Sequence, residues 1–145
     1  MKTQLSISAF AIAFLFSCQS TVDPVSQKYP MQYYLVGVQA SWGPNMDFQQ
    51  VTDSLYYYNL YENGTFQRII ENEIETGTFE EKENGTRIKM TLTFDDPKNL
   101  LVQSCWEDWE IFWFDDKGQM VGTWADCDGP TLYFKGRPLN QVGEI

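Results

Sequence analysis

From Tyr33 onward, apolar and polar positions alternate in short runs separated by turn-forming residues. The clearest run sets Ile88, Met90, Leu92 and Phe94 against Arg87, Lys89, Thr91 and Thr93. That is a period of two, with one face for a core and one for water. Comparable runs rich in aromatic and β-branched residues predict strands near Tyr33–Trp42, Ser54–Tyr61, Thr65–Ile70, Ile74–Glu81 and Thr86–Phe94, and again near Asn99–Cys105, Trp109–Phe114, Gln119–Ala125 and Thr131–Lys135. Asn63-Gly64, Asn84-Gly85, Asp95-Asp96-Pro97, Asp115-Asp116-Lys117-Gly118 and Asp128-Gly129-Pro130 supply the reversals between them. No segment carries a helical period, although Pro44–Asp53 has room for one short turn of helix. Consecutive hairpins predict an all-β, antiparallel up-and-down meander of eight or nine strands. Closure, complete or nearly so, into a barrel hides its edges. A two-sheet sandwich needs longer crossovers than most of these links provide.

The N-terminal segment has a different pattern. Lys2 precedes the ten-residue apolar run Ile7–Phe16, which is the size of a signal-peptide core and too short to span a bilayer. Leu15-Phe16-Ser17-Cys18 follows and resembles a bacterial lipobox, with Phe16 in place of the usual small residue. The resemblance implies a signal peptide over 1–17 and lipidation of Cys18. Residues 18–31 are polar, contain Pro24 and Pro30, and predict a flexible tether. The barrel domain then occupies 32–145. Gln19, where an aspartate would favour inner-membrane retention in the sorting pattern this resembles, favours the outer membrane of a bacterial envelope. The periplasmic or surface face is left open.

Leu60-Tyr61-Glu62-Asn63-Gly64-Thr65-Phe66 and Glu75-Thr76-Gly77-Thr78-Phe79 resemble the repeated "apolar, turn, Gly-Thr-aromatic" units of small lipocalin-like lipoproteins common in Bacteroidetes. Leu35-Val36-Gly37 agrees with that resemblance, which extends over roughly residues 33–135. It departs from the pattern at the start, where lipocalins open with Gly-x-Trp and here Gly37 and Trp42 are five apart. The resemblance implies a lipocalin-like barrel that binds a small ligand.

Composition narrows the chemistry. Twenty acidic residues against ten basic give a net charge of −10, which makes nucleic acid a poor partner. There are no histidines, so Ser-His and Cys-His nucleophile arrangements are excluded. Two thiols without histidine make half a zinc site, and no metal or cofactor is expected. Cys105 and Cys127 flank the hairpin of Trp109–Phe114 and Gln119–Ala125, lie on the same side, and predict a disulfide in an oxidising compartment. In that geometry a loop of Asp116, Lys117 and Gly118, with Gly118 left-handed, has better turn chemistry than one of Asp115, Asp116 and Lys117.

The aromatic segment draws the candidate site. Trp109, Ile111 and Trp113 share one face of their strand, while Phe112 and Phe114 share the other, so both faces are apolar. One reading is a thick core. The other is that rings line a ligand cavity or an exposed patch. On the second reading Trp109 and Trp113 point inward with the Met90 face, and Trp42, Tyr58, Met90, Trp109, Trp113 and Trp124 are the candidate ligand contacts. The ligand would be small and apolar, aromatic or a sugar. Glu107, Asp108 and Glu110 invite a carboxylate hydrolase reading, but acids are the surplus residue here and such neighbours read as a solvated face. The expected function is a lipid-anchored, non-catalytic binding barrel. The alternative is an accessory interaction module of an envelope or glycan-uptake complex, with a filled interior and an envelope protein as partner.

Overall fold

The computed structural model describes residues 29–44, 46–101, 108–122 and 127–141. Among the described residues nine strands run in chain order: β1 (Met31–Gln39), β2 (Phe48–Gln50), β3 (Tyr56–Leu60), β4 (Thr65–Ile70), β5 (Glu73–Asn84), β6 (Arg87–Phe94), β7 (Trp109–Phe114), β8 (Met120–Gly122) and β9 (Thr131–Pro138). Every pairing is antiparallel. The order is β2-β1-β3-β4-β5-β6-β7-β8-β9, and β1 also pairs with β9, from Met31 opposite Pro138 to Gln39 opposite Thr131. Eight strands therefore close into an up-and-down barrel. The ninth, β2, lies beside the second half of β1, whose first half holds β3 along the same edge. Closure satisfies the backbone groups that an open meander would leave bare.

Three of the expected turns form with the expected chemistry. Gly64, Gly85 and Gly118 all take positive φ. Asn63 Oδ1 accepts from the Thr65 amide and hydroxyl, fixing the β3–β4 turn. Asp115 N donates to Gln119 O across Asp116, Lys117 and Gly118, so the three-residue loop with left-handed Gly118 is the one formed.

Two expectations are corrected. No strand begins at Asn99: Pro97–Asn99 is a single 3-10 turn, with Asp96 accepting from Lys98 N. Proline at a first helical position with an aspartate cap favours that turn over a strand. The expected short helix before Asp53 is instead the strand β2. Phe48 lays its ring over Gly37, edge-on to Tyr133 at 5.3 Å. A Cβ on Gly37 would meet that ring in its present position.

Inward positions carry the core. Tyr33, Tyr58, Leu60, Phe66, Met90, Leu92, Phe94, Phe112, Phe114, Met120, Leu132 and Phe134 form one buried cluster. Ile88 is partly buried against it, so the alternation read in β6 holds over its length. Tyr58 sits at the centre, with the rings of Phe112 and Phe134 each 5.3 Å away and Phe66 at 6.3 Å. Edge-to-face contacts of this kind add to the burial of the rings themselves.

The antiparallel order sorts the connections. The start of β1, the turns 61–64, 85–86 and 115–119, and the end of β9 lie at one end, here the turn end. The described residues between β1 and β3, the β4–β5 turn, and the described residues of the β6–β7 and β8–β9 connections lie at the other, the loop end. At the turn end Tyr29 packs on Phe79 at 5.0 Å and donates to Glu81, and Leu139 N donates to Pro30 O.

A Cβ on Gly77 would lie 2.0 Å from the Thr93 carbonyl oxygen, whereas one on Gly37 would meet only the tip of the exposed Phe48 ring. Gly77→Ala must spread two paired strands and is expected to cost about 1–3 kcal/mol or more. Gly37→Ala, which a ring can swing to accommodate, should cost less. Leu92→Ala truncates the core and should cost about 2–5 kcal/mol. Urea unfolding midpoints of the three variants check this order.

Candidate functional site

The barrel interior holds a charged network that strand alternation places there. In β4, Phe66 and Arg68 point inward together. In β7, Glu110 shares its inward face with Phe112 and Phe114. Arg68 is 0 % and Glu110 1 % exposed. Arg68 Nη1 donates to Glu110 Oε1 at 2.6 Å, and Arg68 Nε donates to Glu75, its direct partner across β4 and β5. The guanidinium carbon lies 4.3 Å from the centre of the Phe94 ring. Tyr58 donates to Glu110 Oε2 at 2.8 Å, and its hydroxyl bonds that of Tyr56 at 2.8 Å. Tyr58 has a single proton and gives it to the carboxylate, so Tyr56 is the donor to Tyr58. Glu75 Oε1 accepts from Leu101 N at 2.6 Å, which ties the β6–β7 connection to the network.

Two carboxylates share one guanidinium in this setting. Burial raises the Glu110 carboxyl above its ordinary value, and Arg68 and Tyr58 oppose that without cancelling it. Burial alone would lower the Arg68 guanidinium, but its contacts with Tyr58, Glu75 and Glu110 more than reverse this and hold it charged. Burial also pushes the hydroxyls of Tyr56 and Tyr58 upward, so both stay protonated.

The structure redistributes the predicted site. Tyr58 and Met90 are fully buried, in contact with other core residues. Trp109 and Trp113 do not point inward: they are half-buried on the outer face of β7, with Ile111 between them. The register explains the reversal. Met90 opposes Phe112 and Leu92 opposes Glu110, while Lys89 opposes Trp113 and Thr93 opposes Trp109. A slip of one residue would turn the tryptophans inward and carry Glu110 out, away from Arg68. Glu110 is thus no solvated acid, and its carboxylate is engaged by Arg68 and Tyr58; Asp108 is exposed. Trp42 is 69 % exposed at the loop end, its indole N–H donating to Asp128 O at 2.9 Å. Trp124, Cys18, Cys105 and Glu107 lie outside the described residues, so the pairing of Cys105 with the described Cys127 lies outside them too.

Sequence reasoning passed over a second feature. Among the described residues, the exposed large apolar side chains are Trp42, Met46, Phe48, Leu55, Ile74 and Leu101. All six belong to the loop end: three in or beside β2, one before β3, one at the start of β5 and one after the 3-10 turn. They are far apart in sequence, and only the topology collects them. No family model matches the chain, and no curated protein or solved structure matches it.

Arg68→Met leaves Glu75 and Glu110 without their shared cation and should cost about 3–5 kcal/mol. The raised Glu110 value gives stability a pH slope. The folded chain holds this proton to higher pH than the unfolded one, whose glutamate titrates near about 4.3. The group's contribution is therefore fully present below the unfolded value and lost as pH rises through the folded one. Glu110→Gln is expected to flatten that decline, as read from urea midpoints between about pH 4 and 8.

Proposed function

We propose that the protein is a lipid-anchored, non-catalytic interaction module of the bacterial envelope, displayed on a lipocalin-like barrel. The observation that carries this reading is the distribution of apolar surface. The inward side chains pack against one another around Tyr58, and the exposed large apolar ones gather at the loop end. On this reading the end that collects them is the contact surface. A small apolar, aromatic or sugar ligand inside the barrel is less favoured, because Tyr58 and Met90 are already covered by core neighbours and Trp109 and Trp113 face outward. Anchoring at Cys18 suits the same arrangement. Residue 29 meets the barrel at the turn end, so a tether arriving there would leave the loop end facing away from the lipid. Gln19 after that cysteine favours the outer membrane. A Cys105–Cys127 bridge is proposed alongside, since an exported chain folds in an oxidising compartment.

A photo-crosslinking residue placed at position 42, 55 or 101 of the full-length protein in its own envelope should give a discrete protein adduct, and one at position 83, on the turn end, should not. Equal adducts from both ends, or none from the loop end, would count against the module. Titration of tryptophan fluorescence with fatty acids, haem-like compounds and oligosaccharides should show no saturable change.

The covalent proposals share one measurement. Intact-mass analysis of the membrane fraction, without reduction, should find an acylated N-terminal Cys18 and a Cys105–Cys127 link. Cys18→Ser should leave the membrane or stay unprocessed. A variant that fractionates and migrates like the parent would refute lipidation, and two alkylatable thiols would refute the bridge.

A further inference from the structure

The loop end differs from the turn end in charge as well as in apolar surface. Asp47 and Asp53 flank β2, and Glu71 and Glu73 bound the β4–β5 turn. Asp95, Asp96 and Asp108 lie in the β6–β7 connection, and Asp128 precedes β9. All of these carboxylates are exposed, and Lys98 is the one cation among the described residues of these segments. At the turn end the signs are mixed: Lys82, Arg87, Lys117 and Lys135 stand among Glu62, Glu83, Asp115 and Asp116. Among the described residues the excess of acid is therefore concentrated at the end that also exposes Trp42, Met46, Leu55, Ile74 and Leu101.

That combination selects among occupants. A second copy of this chain would bring the same acidic surface against itself, and like charges brought together at an interface oppose association. Anionic headgroups and nucleic acid are repelled for the same reason. Apolar groups that arrive with positive charge are favoured twice, by burial against the exposed rings and aliphatic chains and by the surrounding carboxylates. Resting on the interaction-module reading, we propose that the loop end docks a basic, apolar-rich polypeptide segment of an envelope partner. Trp42 is suited to be the aromatic anchor, since its ring is largely exposed while its N–H is already held by Asp128 O.

The test uses full-length protein in zwitterionic nanodiscs, with empty discs subtracted. The probes are a soluble lysine- and arginine-rich peptide carrying two tryptophans, and its glutamate counterpart. Saturable one-to-one binding of the basic peptide is expected, about tenfold or more tighter than the acidic one. Raising salt from about 50 to about 300 mM should weaken it markedly. Asp47→Lys with Glu73→Lys should cost about tenfold, as should Trp42→Ser. Glu83→Lys with Asp116→Lys, at the turn end, should change nothing. Equal binding of the two peptides, no saturable binding, or an equal loss from the turn-end pair would overturn the proposal. Crosslinks from position 55 separate the two levels of the argument. If they form as well in the Asp47→Lys, Glu73→Lys protein as in the parent, the docking surface stands and its charge preference falls. If they form in neither, the module reading itself fails.

Discussion

Arg68 has lost its water inside a closed barrel, and its Glu75 and Glu110 contacts are made only in this register. Glu75 is its partner across the β4–β5 pair, and Glu110 reaches it from β7 on the far side of β6. Such an arrangement adds little net stability over a well-packed apolar substitute, because desolvation offsets most of the Coulomb attraction. It does penalise alternatives. A shifted β6–β7 pairing would strand a carboxylate outside and a guanidinium inside, and the aromatic residues on both faces of β7 could not correct the error by themselves. The hydroxyls of Tyr58 and Tyr56 extend the same network into the ring cluster. Through Glu75 and the Leu101 amide it also reaches the β6–β7 connection.

The side chains packed inside the barrel are what move the proposed recognition to the outside. An eight-stranded barrel is just wide enough for side chains to fill or for one small ligand to occupy. Here phenylalanine and tyrosine rings take much of the space, and a salt-bridged arginine takes more of it. On the proposed reading, recognition falls to the connections at one end.

Much of the fold was legible because its signals are local. The β6 alternation, the left-handed glycines at 64, 85 and 118, and the hairpin order each follow from a few adjacent residues. What failed was non-local. In β7 both faces are apolar, so the strand alone cannot say which turns inward; the answer lies forty-two residues away, in Arg68. A positive charge in β4 and a negative one in β7, each at the parity of buried aromatics, were the available signal. Strand β2 was missed because three residues show no period, and it depends on a glycine in another strand. The loop-end group of apolar residues could not be read at all, since its members come from four parts of the chain and reach one end only once the barrel has closed.

That closure rests on β1. It holds β2 and β3 along one edge and β9 along the other, with Met31 opposite Pro138, a separation of 138 − 31 = 107 residues. Hairpins β3 through β8 can form from neighbours as the chain lengthens, but β1 keeps an unpaired edge until the final strand exists. Long-range pairing of this kind is slow, because the chain loses loop entropy before the contact compensates. The unfinished barrel is thus a curled sheet with a bare seam, and its lifetime is set by how fast the last of the polypeptide arrives. A chain synthesised from its N-terminus cannot seal its barrel before β9 has emerged.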